Sequence, residues 1–313
     1  MSKMGMGLHF NKVQQFDINR RVIAHSTTRA WKQVPHVSFV YEPDVTDLWN
    51  YFQSHKEEYN KYGKITFNTI MLKIISQGLI ASPILNAIVD YNQRKKIGQI
   101  KYSKDINIAI PWLLEDGRMI TPVVKNVEEK SLPEIAEYIK DLTRRIENTD
   151  IDAMQYFIGF KESLDEILHF RFGVIAQILA AKFGKHRLRK PTLKQKRAYK
   201  KINKNDKIND SDIFDASVLV SNFGSVLKNQ KGFCSLLEII TPQVFVIGIN
   251  AVQERPIVVK DEATNNSQIA IRKVLPMCLT FDHRVADLAN IIPFQNKLET
   301  IFANPTILED WMK

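Results

Sequence analysis

The stretch Thr66 to Ile80 limits the fold more than any other part of the chain. Ile70, Ile74, Leu79 and their neighbours are apolar almost all round a helical wheel. A helix with no polar face has to lie inside a core. Pro83 stops it. Around it, helical runs alternate with short strands. Arg20 to Gln33 reads as a helix that ends ahead of Pro35. Val37, Phe39 and Tyr41 alternate with His36, Ser38 and Val40 in the pattern of a strand. Asp44-Val45-Thr46-Asp47 then signals a helix start, and Leu48 and Phe52 continue at helical spacing. Leu85 to Val89, Ile106 to Pro111 and Met119 to Val124 read as strands, with a Glu115-Asp116-Gly117 turn between the last two. Ser131 is placed as an N-cap, with Glu134 three residues on as in a capping box, for a helix reaching Glu147.

The middle of the chain differs. Ile151 to Phe183 is apolar and helical in pattern, whereas Lys185 to Asp210 is basic and polar, an exposed helix, a loop or a disordered stretch. Strand patterns return at Ala216 to Ser221, Val244 to Asn250 and Ile269 to Phe281, and Ala289 to Phe302 is the last helix. The net charge of +10 is local. Eleven basic residues lie between Lys185 and Lys207 against Asp206 alone, and the remainder is about neutral.

Composition excludes several classes. A chain of 313 residues can bury a large core and needs no staples. Cys234 and Cys278 are far apart and outside any CxxC motif, which points to reduced thiols and a cytoplasmic setting, a single disulfide being the alternative. No apolar run approaches the roughly 18–20 residues that span a bilayer, and Met1 to Lys12 lacks a signal-peptide core. GxGxxG, GxxxxGK[ST] and HExxH are absent, and no His/Cys cluster has metal spacing. These absences argue against dinucleotide, P-loop ATP and zinc chemistry.

The sharpest local signal is Leu279-Thr280-Phe281-Asp282-His283-Arg284-Val285-Ala286-Asp287. An apolar strand ends, and Asp, His and Arg follow at the turn. A histidine at a strand end can be held rigidly, and neutral imidazole is plentiful at pH 7, so His283 is a candidate base. Asp287 lies four residues on, and a helix beginning at His283 would put both on one face. Taken alone, Asp282 as an N-cap and His283 as a surface histidine would be the plainer reading.

The chain resembles the catalytic domain of the 2-oxo acid dehydrogenase (dihydrolipoamide) acyltransferases, whose signature is Asp-His-Arg-x-x-Asp-Gly after a strand. Further likenesses follow in order along residues 20–305: Pro35-His36-Val37-Ser38 with Asp44-Val45-Thr46-Asp47-Leu48, then Leu85-Asn86-Ala87. Ile106 to Ile110 with Asp116-Gly117 and Thr121 to Asn126 comes next, then Ser221-Asn222-Phe223-Gly224. The resemblance implies an α+β fold, a two-layer α/β sandwich of the chloramphenicol acetyltransferase type with a mixed sheet flanked by helices. It also implies a homotrimer with active sites between subunits, which in the family can build a larger cage. His283 would be the general base that deprotonates a thiol or other acceptor, and Ser221 would donate to the tetrahedral oxyanion. Asp287 would hold the histidine loop through an arginine, with Arg21 or Arg20 as its partner. Coenzyme A or acyl-CoA would be the substrate, with no metal.

The division implied is an N-terminal arm (1–19) and an acyltransferase domain (20–313) with a basic insertion at about 152–210. Three departures stand out. No lipoyl domain or linker precedes residue 20, so a lipoyl-bearing protein would act in trans or the acceptor would be different. Leu288 replaces the motif's glycine, which could shift the helix or narrow the substrate tunnel. The third departure is the basic insertion, which reads as a solvated helix covering part of the trimer, with nucleic acid, the phosphates of coenzyme A or an anionic membrane against Leu168 to Phe183 as other readings. The competing function is a catalytically weak trimeric scaffold that binds partners.

Overall fold

Side-chain caps mark where three of the long helices begin. Thr66 accepts the amide of Thr69 at 3.2 Å and opens the Phe67–Ala81 helix. Ser131 and Glu134 form the expected capping box for Leu132–Glu147. A computed structural model of the chain describes residues 9–158, 191–227, 232–260 and 266–313. They fall into two units: residues to Ser26 with Asp150–Lys201, and Thr27–Thr149 with Ile202–Lys313.

Among its described residues the larger unit has twelve strands. They are β1 (His36–Tyr41), β2 (Ala87–Asn92), β3 (Ile97–Tyr102), β4 (Ile108–Ala109), β5 (Trp112–Leu113), β6 (Met119–Ile120), β7 (Val123–Val124), β8 (Val218–Asn222), β9 (Phe245–Ile249), β10 (Gln253–Lys260), β11 (Ser267–Val274) and β12 (Met277–Asp282). Six of them make one mixed sheet in the order β1-β12-β9-β8-β4-β7. β1, β12 and β9 are antiparallel neighbours, β9, β8 and β4 run parallel, and β7 returns antiparallel. The pairs β2–β3, β5–β6 and β10–β11 are separate two-stranded sheets.

Alternation along the strands sorts the two faces of this sheet. Phe245 and Phe281, which pair in register, point to one side, where Phe294 of the Leu288–Ala303 helix meets Phe245 edge-on at 5.5 Å. That helix packs on Phe67–Ala81. A Cβ on Gly78 would stand 2.6 Å from Leu298 Cδ1, so glycine lets the two helices close up. Ile70, Leu72, Ile74 and Ile75 are fully buried, and the buried Lys73 is satisfied by the carbonyls of Glu128 and Lys130. The other face, with Val246, Gly248 and Thr280, is covered by residues 234–239. Ile239 N donates to His36 Nε2 at 2.9 Å, and Cys234 N donates to Asn250 Oδ1 at 2.9 Å. Both cysteines are free thiols.

Several boundaries differ from the sequence reading, mostly at prolines. Met119 to Val124 is not one strand. Pro122 divides it into β6, which pairs with β5, and β7, which pairs with β4. Ile269 to Phe281 divides likewise at Leu275-Pro276 into β11 and β12. Leu85 belongs to a single 3-10 turn after Pro83, and the strand begins at Ala87. β3 and β10 were missed, since one is wholly exposed and the other contains Pro256.

In the smaller unit, residues 151–158 are helical and Leu193–Lys201 forms a helix. The basic run is therefore ordered here. Tyr199 is buried and stacks on Phe157 at 5.6 Å, while Lys196 lies 3.6 Å from the centre of the Tyr156 ring. The remainder of Ile151 to Phe183, the Leu168 to Phe183 stretch and Lys185 to Lys190 lie outside the described residues. No helix among the described residues is long and apolar enough to cross a membrane.

Candidate active site

β12 ends on a charged residue with no exposed surface. The carboxylate of Asp282 accepts from Arg284 N at 2.9 Å, from Nε at 2.9 and 3.1 Å, and from Nη2 at 2.5 Å. Its carbonyl accepts from Val285 N at 2.9 Å and Ala286 N at 3.0 Å. Between these anchors the chain makes a tight turn that presents His283 as an exposed residue. His283 N donates to Pro35 O at 3.0 Å, and the ring stands edge-on to Phe281 at 6.1 Å.

One contact sets the tautomer. His283 Nδ1 lies 3.0 Å from the carbonyl oxygen of Ala286. A carbonyl only accepts, so Nδ1 carries the proton and, in the neutral ring, Nε2 keeps the lone pair. A base that takes a proton through Nε2 needs this arrangement.

No helix begins at His283; the last helix, expected from Ala289, starts at Leu288. His283 precedes the helix rather than opening it, so the two residues do not share a helical face. Asp287 is the N-cap of Leu288–Ala303. It accepts from Ala289 N at 2.9 Å, while Asn290 accepts the Asp287 amide at 2.9 Å. By fixing the helix start, it fixes the end of the histidine turn. Leu288 is the first helical residue and is 55% exposed, and the helix forms with leucine in place of glycine. Arg21 lies in the first turn of Ile18–Gln33, in the smaller unit, where its amide donates to Asp17 O at 3.1 Å.

Ser221 is half-buried near the end of β8. The next residues form a stiff corner. Asn222 donates to Asn68 Oδ1 at 2.9 Å and accepts from Ser225 N at 3.0 Å. A Cβ on Gly224 would come within 2.8 Å of Ala251 Cα, so no side chain fits there.

The sheet does not bring Ser221 and His283 together. Ser221 is level with Gly248, and Gly248 with Cys278. β12 runs opposite to β9 and β8, so His283 lies five residues beyond Cys278, towards the far end. At roughly 3.3 Å per residue along a strand and about 4.8 Å between strands, the two residues are about 19 Å apart in one chain. Arg284 and Asn222 were quoted only as parts of motifs, and Tyr91 was passed over. Asn222 reaches Asn68 and Tyr91 meets Arg284, contacts far apart in sequence that leave no local signal.

The family model for 2-oxoacid dehydrogenases acyltransferase (catalytic domain) matches residues 10–156 and 191–309. The chain belongs to this family. The match skips residues 157–190, which include the start of the basic run. Among curated relatives, the lipoamide acyltransferase component of the branched-chain alpha-keto acid dehydrogenase complex of Bacillus subtilis is 24% identical over 271 residues, 86% of this chain and 46% of the relative. The dihydrolipoyllysine-residue acetyltransferase component of the pyruvate dehydrogenase complex of Staphylococcus epidermidis is 23% identical, covering 92% of this chain and 50% of the relative. The chain thus spans about half the length of the curated relatives it matches.

Two solved structures show the same acyltransferase-family fold. A probable dihydrolipoamide acetyltransferase from Listeria monocytogenes superposes with a TM-score of 0.64 at 20% identity, over 94% of this chain and 95% of that one. The dihydrolipoamide acetyltransferase of Azotobacter vinelandii gives 0.64 at 19% identity, over 96% and 94%. The catalytic mechanism of that enzyme has been investigated through a serine, a histidine and an asparagine, the last two four residues apart. Among the described residues of this family member, no group of three or more His, Cys, Asp or Glu side chains is placed to hold a metal ion.

Proposed function

We propose that the chain is a coenzyme A-dependent acyltransferase, moving an acyl group between coenzyme A and a thiol, a dihydrolipoyl group above all, or another acceptor. The observation that carries this reading is the histidine turn. His283 is exposed, its Nδ1–H is committed to the Ala286 carbonyl, and its Nε2 is left to accept a proton. A free thiol with a pKa near 8.5 is mostly protonated at neutral pH. Nε2 takes the thiol proton, the sulfur attacks the thioester carbonyl, and a tetrahedral oxyanion forms. Ser221 donates a hydrogen bond to that oxyanion. As it collapses, the departing thiolate receives the proton back from Nε2 and the base is regenerated.

The separation of Ser221 and His283 supports a site built between subunits. In a homotrimer, His283 of one chain would face Ser221 of the next, with Arg21 beside Asp287 as a brace for the turn and trimers able to join into a larger cage. The domain division that goes with this reading is an arm at 1–19 and an acyltransferase domain at 20–313. The basic insertion at about 152–210 would contain the 157–190 stretch that the family match skips. A lipoyl-bearing protein would supply the second thiol in trans.

The test is free-thiol release from acetyl-, propionyl- and longer acyl-CoAs with dihydrolipoamide as acceptor. His283→Ala is expected to lower turnover by roughly 10²–10⁴-fold, and Ser221→Ala by roughly 10²–10³-fold. Turnover that survives His283→Ala unchanged would refute the assignment.

A further inference from the structure

The β2–β3 hairpin forms a sheet of its own, yet it is fastened at the His283 end of the main sheet. Val89 N donates to Pro242 O at 3.0 Å, and Ile88 bridges to Gln243. Gln243 lies two residues beyond the last β9–β12 pair, Phe245–Phe281, which is level with His283. From this hairpin Tyr91 meets Arg284. The guanidinium carbon is 5.6 Å from the centre of the tyrosine ring, within the range where a ring face attracts a cation. The same guanidinium clasps Asp282, whose side chain is 0% exposed, while Arg284 is 19% exposed.

The ring is itself held in place. Opposite Tyr91 in the hairpin register stands Gly98. A Cβ there would lie 3.0 Å from Tyr91 Cδ2 and 2.9 Å from the Asp90 carbonyl. The ring therefore lies over a position that only glycine leaves open, an aromatic ring covering a strand glycine. A continuous set of contacts runs from Gly98 to Tyr91, Arg284, Asp282 and the turn of His283.

We propose that Tyr91 is a positioning residue for acyl transfer: its ring pins Arg284 onto Asp282 and so holds the turn that aims His283. The proposal rests on the acyl-transfer reading above. Tyr91 acts on rate through geometry, since a base displaced by a fraction of an ångström loses its line to the thiol proton.

Tyr91→Ala, Tyr91→Phe and Gly98→Ala in the full chain test it, with two readouts. In thiol release, Tyr91→Ala is expected to lower kcat by roughly 3–10-fold while KM for the acyl-CoA stays within about twofold. Tyr91→Phe keeps the ring face and stays near wild type, and Gly98→Ala, which pushes the ring aside, falls between. In hydrogen exchange, the amides of Val285 and Ala286 exchange faster in Tyr91→Ala and unchanged in Tyr91→Phe. A change confined to KM, a Tyr91→Phe as impaired as Tyr91→Ala, or unchanged exchange in Tyr91→Ala overturns the proposal. Wild-type protein without His283-dependent turnover removes the acyl-transfer reading instead, and the exchange data still decide whether Tyr91 holds the turn.

Discussion

Asp282 and Arg284 are expected to be worth more together than apart, and a double-mutant cycle measures by how much. Asp282 is wholly buried, and Arg284 reaches it through its amide, Nε and Nη2. Removing one partner of a buried pair typically costs roughly 3–5 kcal/mol, because the other charge is left unpaired. Arg284 is 19% exposed and can swing towards water, so Asp282→Ala should fall at or below the low end, about 2–3 kcal/mol. Arg284→Ala strands a carboxylate that cannot reach water and should cost at least as much. The double variant loses both charges at once, and a coupling energy of about 2 kcal/mol is expected between contacting residues of this kind. Urea unfolding at one fixed protein concentration measures all four corners, since assembly makes apparent stability depend on concentration. Losses that add within about 0.5 kcal/mol would refute the claim that this pair holds the histidine turn.

Other consequences can be checked separately. Asp287→Ala should destabilise by about 1 kcal/mol as a lost helix cap, and Asp287→Asn should recover most of it; a loss beyond about 2 kcal/mol would point to a further partner. Gly224→Ala brings a methyl against backbone at 2.8 Å and should cost roughly 1–3 kcal/mol in denaturant unfolding, and no change would mean the corner yields. Burial pushes the Asp44 carboxyl up, but hydrogen bonds from Thr46 and Arg272 outweigh it and hold the carboxyl below the usual carboxylate range. Such a group adds stability in full above its unfolded value near pH 4 and loses it as pH falls through its lower folded value. The stability gap between wild type and Asp44→Asn should therefore narrow on acidification below about pH 4, and a gap that stays constant would argue against the assignment.

Much of the fold was legible because its signals are local. Ser131 with Glu134, the mostly apolar Thr66 to Ile80 run and the alternation of Val37, Phe39 and Tyr41 each act within a single element. Prolines were legible as helix stops but not as strand dividers. Pro122 and Pro276 separate segments whose hydrophobic pattern is continuous, and only the choice of partner strand shows the break. At the site, the motif placed His283 correctly at a strand end. The last helix was legible to within one residue, from Ala289, but the part of Asp287 as its cap was not: the chain needs four residues to leave β12 before the helix can start, and Asp287 ends that passage. The tautomer depends on the Ala286 carbonyl, and the Tyr91 contact on a hairpin some 190 residues away in sequence. Neither spacing nor propensity encodes such contacts. The opposed ends of β8 and β12 followed only from strand order and direction, which a linear pattern does not carry.

The central claim, a base from one chain working with a serine from the next, is tested most directly by subunit mixing. His283→Ala and Ser221→Ala chains would be unfolded together in equal amounts, refolded, and assayed for thiol release from acyl-CoA. Random assembly into closed rings leaves about one site in four with both groups intact. The account predicts recovery towards about a quarter of wild-type turnover, from two proteins that are each nearly inactive. Turnover no greater than the sum of the two variants refolded apart would contradict it.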